Sequence, residues 1–205
     1  MKTKIPYQNI SAAILAGGTN SRFNGRIKSL VPFHNKPILE HQTEVLKSLF
    51  PEILLITNSP ERFTNHQDLI IYTDIIPHKG PLSGIHTALK KSGHDQVFIV
   101  AGDMPFINGT TIAGQISAAV KGKYEAIIPR VNNNIEPLHG VYHKNGLDKL
   151  EALLQPGEPS SVKKFLKTIN TFYWETDDET PFININTPEE LNRYEKGEHH
   201  KNRER

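Results

Sequence analysis

Four short runs in the first half of this chain are apolar almost from end to end: Ile10 to Leu15 (ISAAIL), Glu52 to Thr57 (EILLIT), Leu69 to Thr73 (LIIYT) and Gln96 to Ala101 (QVFIVA). None alternates apolar with polar. Each therefore reads as a strand, and Glu52 to Thr57 as one buried on both faces, as in a parallel sheet. Helical spacing fills the gaps between them. Lys36-Pro37 opens one helix, with Ile38, Leu39, Val45, Leu46 and Leu49 on one face, and Phe50-Pro51 ends it. Ile85, Ala88 and Leu89 mark another, with its N-terminus near Ser83-Gly84. The order strand, helix, strand, strand, helix, strand is that of an α/β fold with a mainly parallel sheet. In such sheets ligands sit at the carboxyl ends of the strands.

The second half is less regular. Thr110 to Val120 is expected to be a helix, Glu125 to Pro129 a strand, and Glu136 to Tyr142 a further strand, compatible with an antiparallel one. Asn145 to Leu154 and Ser160 to Thr168 read as amphipathic helices separated by Pro156-Gly157. Asn170 to Glu175 reads as an edge strand carrying Trp174. Thr187-Pro188-Glu189-Glu190 is a capping box with proline at the first helical position, so Asn184 and Asn186 lie just ahead of a helix N-terminus. The closing segment GEHHKNRER is charged and without period. The expectation is one domain over residues 1–197 and a disordered tail over 198–205.

Bulk properties exclude several classes. At 205 residues the chain is long enough for one domain with a real core. Its net charge of +2 does not argue for a nucleic-acid or membrane partner. Without cysteine there is no disulfide, thiolate metal site or Cys nucleophile. MKTKIPYQNIS has no long apolar stretch of the secretory kind, and no run approaches the ~18 apolar residues of a membrane span. The expectation is a soluble, cytoplasmic monomer.

Where the first apolar run ends, the chain turns abruptly to Gly17-Gly18, Arg22, Asn24-Gly25, Arg26 and Lys28. Glycines let a backbone approach a ligand closely, and their N–H groups can cradle phosphate oxygens. Arg22 and Lys28 add positive charge to the same loop, which suits a polyphosphate; Arg26 and Lys79 read as solvated. The loop is neither a P-loop nor a dinucleotide fingerprint: Ile27 precedes Lys28-Ser29, and Gly17 and Gly18 are adjacent with the next glycine at 25. Asp103, at the end of the QVFIVA run, is placed to hold a hard cation with substrate phosphates, or to serve as a turn or helix-cap residue. Asp74 has the same placement one strand over. Asn184 and Asn186 read as second-ligand contacts or as turn residues. Gly17 to Lys28, Asn58, Asp74, Gly84 and Asp103 follow a strand's carboxyl end or cap a following helix, so they should converge on one crevice. The ten histidines show no HExxH pair and no metal set. His139 and His143 read as ordinary polar residues, with His139 a weak candidate for substrate contact.

LAGG followed by Ser21-Arg22 and then Lys28 resembles the signature loop of the nucleotidyltransferase superfamily, and within it the molybdenum cofactor guanylyltransferases. Five segments carry the resemblance in order: LAGG…SR…K (15–28), the strand ending in Asn58, YTD…GPLSG (72–84), VAGDMPF (100–106) and FININTPEEL (182–191). The resemblance implies a three-layer, Rossmann-like nucleotidyltransferase fold with a mainly parallel mixed sheet. It implies a nucleotide bound by Leu15, Ala16, Gly17, Gly18, Arg22, Lys28, Asn58, Asp74 and Gly84 in the N-terminal half, with Asp103 on Mg²⁺. Asn184 and Asn186 would serve a molybdopterin pocket in the C-terminal half. LAGG with GPLSG resembles the GTP-using branch. The implied reaction is in-line attack of the terminal phosphate of Mo-molybdopterin on the α-phosphorus of GTP, with Arg22, Lys28 and Asp103 as the catalytic residues. Implied partners are GTP, Mo-molybdopterin, other proteins of molybdenum cofactor biosynthesis and the acceptor molybdoenzymes. Two positions depart from the pattern: Ile27 stands where the family usually has aspartate, and Asn24 where a glycine often follows the arginine. Other readings stay open: transfer from CTP, transfer to a sugar or alcohol phosphate, or a nucleotide-binding module without turnover.

Overall fold

The computed structural model describes residues 5–17, 23, 25–158 and 160–197. At its centre lies β1 (Ile10–Leu15), flanked by β4 (Ile53–Ile56) and β6 (Gln96–Ala101), both parallel to it. β5 (Ile70–Tyr72) pairs parallel to β4 and forms one edge. The four apolar runs are thus four neighbouring strands; burial of both faces explains why β1, β4 and β6 do not alternate, while β5, at the edge, is only partly buried and exposes Ile70.

On the other side of β6 the sheet becomes mixed. β9 (His139–His143) lies antiparallel between β6 and β7 (Ala126–Val131), and β10 (Thr171–Glu175) pairs parallel to β7 at the far edge. The edge strand with Trp174 is as read. The strand expected over 136–142 is shorter at its start, and a separate two-residue strand precedes it. β8 (Asn134–Ile135) folds back on β7, and β9 starts only at His139. The two-residue turn between β7 and β8 is Asn132-Asn133, with φ of 47° and 65°. Asparagine tolerates these left-handed angles, which tight hairpins require.

Helices cover both faces. α1 (Ile38–Leu49) and α3 (Gly109–Lys121) pack against Ala12, Ile14, Phe98 and Val100. α2 (Pro81–Lys91), α4 (Leu147–Leu153) and α5 (Val162–Thr168) pack against Ala13, Leu54, Val97 and Ile99 on the opposite face. The result is the expected three-layer α/β/α architecture. Each strand offers alternate side chains to the two layers, the period-two geometry of extended chain.

Two helix starts differ from expectation. Lys36-Pro37 is not helical: it forms β3, which pairs with β2 (Pro32–Phe33) across His34-Asn35, at φ of 44° and 71°. Pro37 caps α1 from outside rather than opening it. α2 begins at Pro81 after Gly80 at φ 58°, two residues before the expected Ser83. α6 (Pro188–Glu195) starts where its capping box predicts, with Thr187 Oγ1 accepting from Glu190 N–H. It packs Leu191 and Tyr194 beside the β2–β3 hairpin, against a small core of Phe23, Val31, Phe33, Ile38 and Ile185. The tail over 198–205 lies outside the described residues.

Candidate active site

The chain leaves β1 for β4 and β5 on one side, then returns to β6 on the other. That reversal opens a crevice at the carboxyl ends of the strands, the usual ligand position in doubly wound sheets. A cavity of about 920 Å³ lies there. Strand ends and their succeeding loops form its walls: Leu15, Ala16 and Gly17 at β1, Ile56 and Asn58 at β4, Asp74 after β5, and Ala101 to Asp103 at β6. Ile27 to Ser29, Gly84 of α2, Leu138, Asn184 and Asn186 complete it. The expected convergence therefore holds for Gly17, Lys28, Asn58, Asp74, Gly84 and Asp103, and Asn184 and Asn186 line the same cavity. Gly18 and Arg22, together with Asn24, lie outside the described residues.

Lys28 is the hub. Its ammonium donates to Asp103 Oδ2 at 2.9 Å and to Asn186 Oδ1 at 2.7 Å, joining three segments far apart in sequence. Both members of the ion pair are only about one-fifth exposed, at 22% and 20%. Ile27, in the position where an aspartate was expected, packs partly buried against the core on the α1/α3 face and so seats the turn that carries Lys28.

Asp103 is fixed from behind. Gly102 N–H donates to Leu15 O, Asp103 O accepts from Ile185 N–H, and the buried Gln42 amide donates to both Ala101 O and Met104 O. Gln42 went unnoticed in the sequence. The signal was there, a polar residue three after Leu39 and four before Leu46 on the apolar stripe of α1.

On the far wall Asn58 and Asp74 hold each other. Asn58 Nδ2 donates to Asp74 Oδ2 at 2.7 Å, and Asp74 N–H returns a bond to Asn58 Oδ1 at 3.2 Å. Ile75 N–H then bonds Thr87 Oγ1, which ties this loop to α2. Gly84 lies fully buried in the first turns of α2, against Leu15. Among the described residues a Cβ on Gly17 would meet no atom within 4 Å, so packing against them does not demand glycine there. Close approach of a ligand would. Asn184 lines the cavity while its amide donates to Phe182 O.

Two expectations are corrected. His139 does not reach the cavity: it is fully buried between the Phe98 and Phe182 rings, with Nδ1 bonded to the Gln115 amide. Burial holds its pKa at about 4, so the ring is neutral. Lys79 is not simply solvated: its ammonium donates to Gln155 O at 2.9 Å and its N–H to Ser83 Oγ, bracing the turn that brings His78 to the cavity wall.

Comparison with known proteins agrees with this geometry. Residues 12–171 match the MobA-like NTP transferase domain. The chain belongs to this family. A Natranaerobius thermophilus protein named a probable molybdenum cofactor guanylyltransferase is 36% identical over 89% of this chain and 93% of its own length. A molybdenum cofactor guanylyltransferase of Vibrio parahaemolyticus is 34% identical over 88% and 92%. Among solved structures, molybdopterin-guanine dinucleotide biosynthesis protein A of Archaeoglobus fulgidus superposes with a TM-score of 0.78 at 25% identity, covering 91% of this chain and 97% of its own. The resemblance read from the loop is therefore borne out, and this MobA-like chain is a nucleotidyltransferase by family.

Members of such families use a nucleotide substrate, typically with a divalent metal. Among the described residues no group of three or more His, Asp or Glu side chains could cage a metal ion. The cavity offers Asp103 and, across it, Asp74. Asp103 is a carboxylate of the kind that holds a divalent cation together with substrate phosphates, while Asp74 is engaged with Asn58.

Proposed function

We propose that this chain is a molybdenum cofactor guanylyltransferase, moving GMP from GTP onto the terminal phosphate of Mo-molybdopterin with release of pyrophosphate. The observation that carries the reading is the meeting of Lys28, Asp103 and Asn186 in one cavity with Gly17, Asn58, Asp74 and Gly84. A single ammonium there touches both the proposed nucleotide half and the proposed acceptor half. Relatives bearing the guanylyltransferase name over about nine-tenths of the chain support the same substrates.

In this reading Leu15 to Gly18, with Asn58, Asp74 and Gly84, receive the nucleoside and phosphates. Lys28 and Arg22 offset charge that builds on the triphosphate and the leaving pyrophosphate. Asp103 holds the divalent cation, which when bound supplies Lewis-acid neutralisation of phosphate oxygens. Asn184 and Asn186 face the acceptor. A phosphate monoester is already nucleophilic near neutral pH, so the site needs no dedicated general base; positioning and electrostatics carry the rate. The proposed setting is the cytoplasm, with the protein a monomer that passes its product to molybdoenzymes. No helix among the described residues is long and apolar enough to cross a membrane.

Calorimetric titration with GTP and with CTP, each with Mg²⁺, followed by pyrophosphate release on addition of molybdopterin, tests the proposal. Selective GTP binding and acceptor-dependent release are expected. A preference for CTP would move the chain to cytidylyl transfer on the same fold, and tight GTP binding without release would make it a binding module.

A further inference from the structure

Among the described residues the Lys28 ammonium donates to two oxygens, Asp103 Oδ2 at 2.9 Å and Asn186 Oδ1 at 2.7 Å. The second comes from a segment that is itself held. Asn186 N–H donates to Glu190 Oε2 at 2.7 Å, Glu190 N–H donates to Thr187 Oγ1 at 3.1 Å, and the preceding Ile185 N–H donates to Asp103 O at 2.9 Å. The cap of α6 therefore fixes the backbone of Asn186 beside Asp103, with its amide oxygen on Lys28.

This arrangement bears on what happens when Asp103 serves a cation. The carboxylate is then shared, and Asn186 is the protein acceptor left to hold the ammonium in place. The residue before the lysine gives no help, because Ile27, partly buried against the core, carries no charge. We propose that Asn186, oriented by Glu190, is a positioning residue for Lys28: it keeps the ammonium at the polyphosphate whether or not the acceptor is bound. The inference rests on the nucleotidyl-transfer reading of the cavity, and it assigns to the C-terminal segment a part in nucleotide binding, not only in acceptor binding. If Asn186 were merely the residue ahead of a helix cap, or merely an acceptor contact, nucleotide affinity would not depend on it.

A double-mutant cycle on Lys28→Ala and Asn186→Ala, read as nucleotide affinity by calorimetry with Mg²⁺ and without acceptor, decides the matter. Loss of a charge-assisted bond predicts that Asn186→Ala weakens binding about tenfold. In the Lys28→Ala background the same substitution should add less than about twofold. Glu190→Ala should weaken binding in the same direction and Glu190→Gln, which still accepts from Asn186 N–H, should not. These two variants carry the test if Asn186→Ala fails to fold. Unchanged affinity in Asn186→Ala, effects that simply add in the double variant, or equal losses in Glu190→Ala and Glu190→Gln would each overturn the proposal. The cycle is read with whichever of GTP and CTP the wild-type protein binds, so a wrong nucleobase sinks the guanylyl reading alone. Failure of the wild type to bind either would overturn this inference alone, since it requires a nucleotide site that is complete without the acceptor.

Discussion

Lys28 and Asp103 stand 75 residues apart in sequence and form an ion pair at 2.9 Å that ties the turn after β1 to the turn after β6. Ile185 N–H on its carbonyl holds the Asp103 backbone there from behind, and the Lys28 ammonium holds its carboxylate. Asp103→Ala is expected to cut pyrophosphate release at least about a thousandfold, the scale of losing a principal electrostatic group. Asp103→Asn keeps the shape and an acceptor for Lys28 but not the charge, and should fall nearly as far. Both variants should melt close to wild type, because a part-exposed pair contributes little to stability. Near-native turnover in Asp103→Asn would take the cation away from this residue.

Two glycines in the cavity wall should respond differently to alanine. At Gly84 a Cβ would come within 3.0 Å of Leu15 Cδ2, the far end of a flexible side chain. Alanine gains about 1 kcal/mol of helix propensity there, which offsets the cost of moving Leu15. Leu15 lines the cavity, so Gly84→Ala should leave the Tm near wild type but weaken nucleotide binding. At Gly102 the same Cβ would meet Leu15 O at 3.2 Å and Ala16 Cα at 3.3 Å, which are backbone atoms of the central strand and its loop. They have less room to yield, so Gly102→Ala should lower both Tm and affinity. Thermal melts and calorimetry on the two variants compare them directly. An equal drop in Tm for both would mean that Leu15 is as immobile as the backbone.

Much of the frame was legible because it depends on local pattern. Ile10–Leu15 and Gln96–Ala101 could be read to the residue, since a strand buried on both faces leaves an apolar run that stops at a loop. Thr187 could be read as a cap because its bond to Glu190 spans only three residues. The β2–β3 hairpin was missed because Lys36-Pro37 looks like a helix start, while His34-Asn35 lacks the asparagine–glycine signal of a two-residue turn. His139 was misjudged because a polar residue in a short strand gives no sign that two phenylalanines will enclose it. The Lys28–Asn186 bond bridges 158 residues and no local pattern could announce it. The residues of the cavity were nameable one by one; which of them touch was not.

Gln42 supports the site without touching it. Its buried amide donates to Ala101 O at 2.8 Å and Met104 O at 2.9 Å, the two carbonyls that bracket Asp103. Gln42→Leu is close in volume but leaves at least the Met104 carbonyl to find another partner. The expected cost is about 1–3 kcal/mol of stability. Because the loosened turn carries Asp103, kcat should fall by a larger factor than KM rises. Steady-state kinetics beside a denaturant melt separates the two effects, and a purely thermodynamic loss with unaltered kcat would show that the strands alone hold Asp103.

His139 sets the acid limb of stability. Burial between Phe98 and Phe182 pushes it from the ordinary 6.5 to about 4, so the folded protein keeps the ring neutral where the unfolded chain would protonate it. Above about 6.5 neither state binds the proton and His139 has no effect on the balance. As pH falls below that value the unfolded state alone takes it up, and stability should decline by about 1.4 kcal/mol per unit until about pH 4, where the folded state protonates too. Glu151 acts in a lower window. Lys90, and after it His86, hold its carboxyl below the ordinary 4.5, so its contribution is present above that value and is lost only as pH falls beneath it. The decline between pH 6.5 and 4.5 therefore belongs to the histidine. His139→Gln cannot titrate, and denaturant melts at about pH 7.5, 6.0 and 5.0 should show a slope for the wild type that the variant lacks. Parallel decline of the two proteins would place the acid sensitivity elsewhere in the fold.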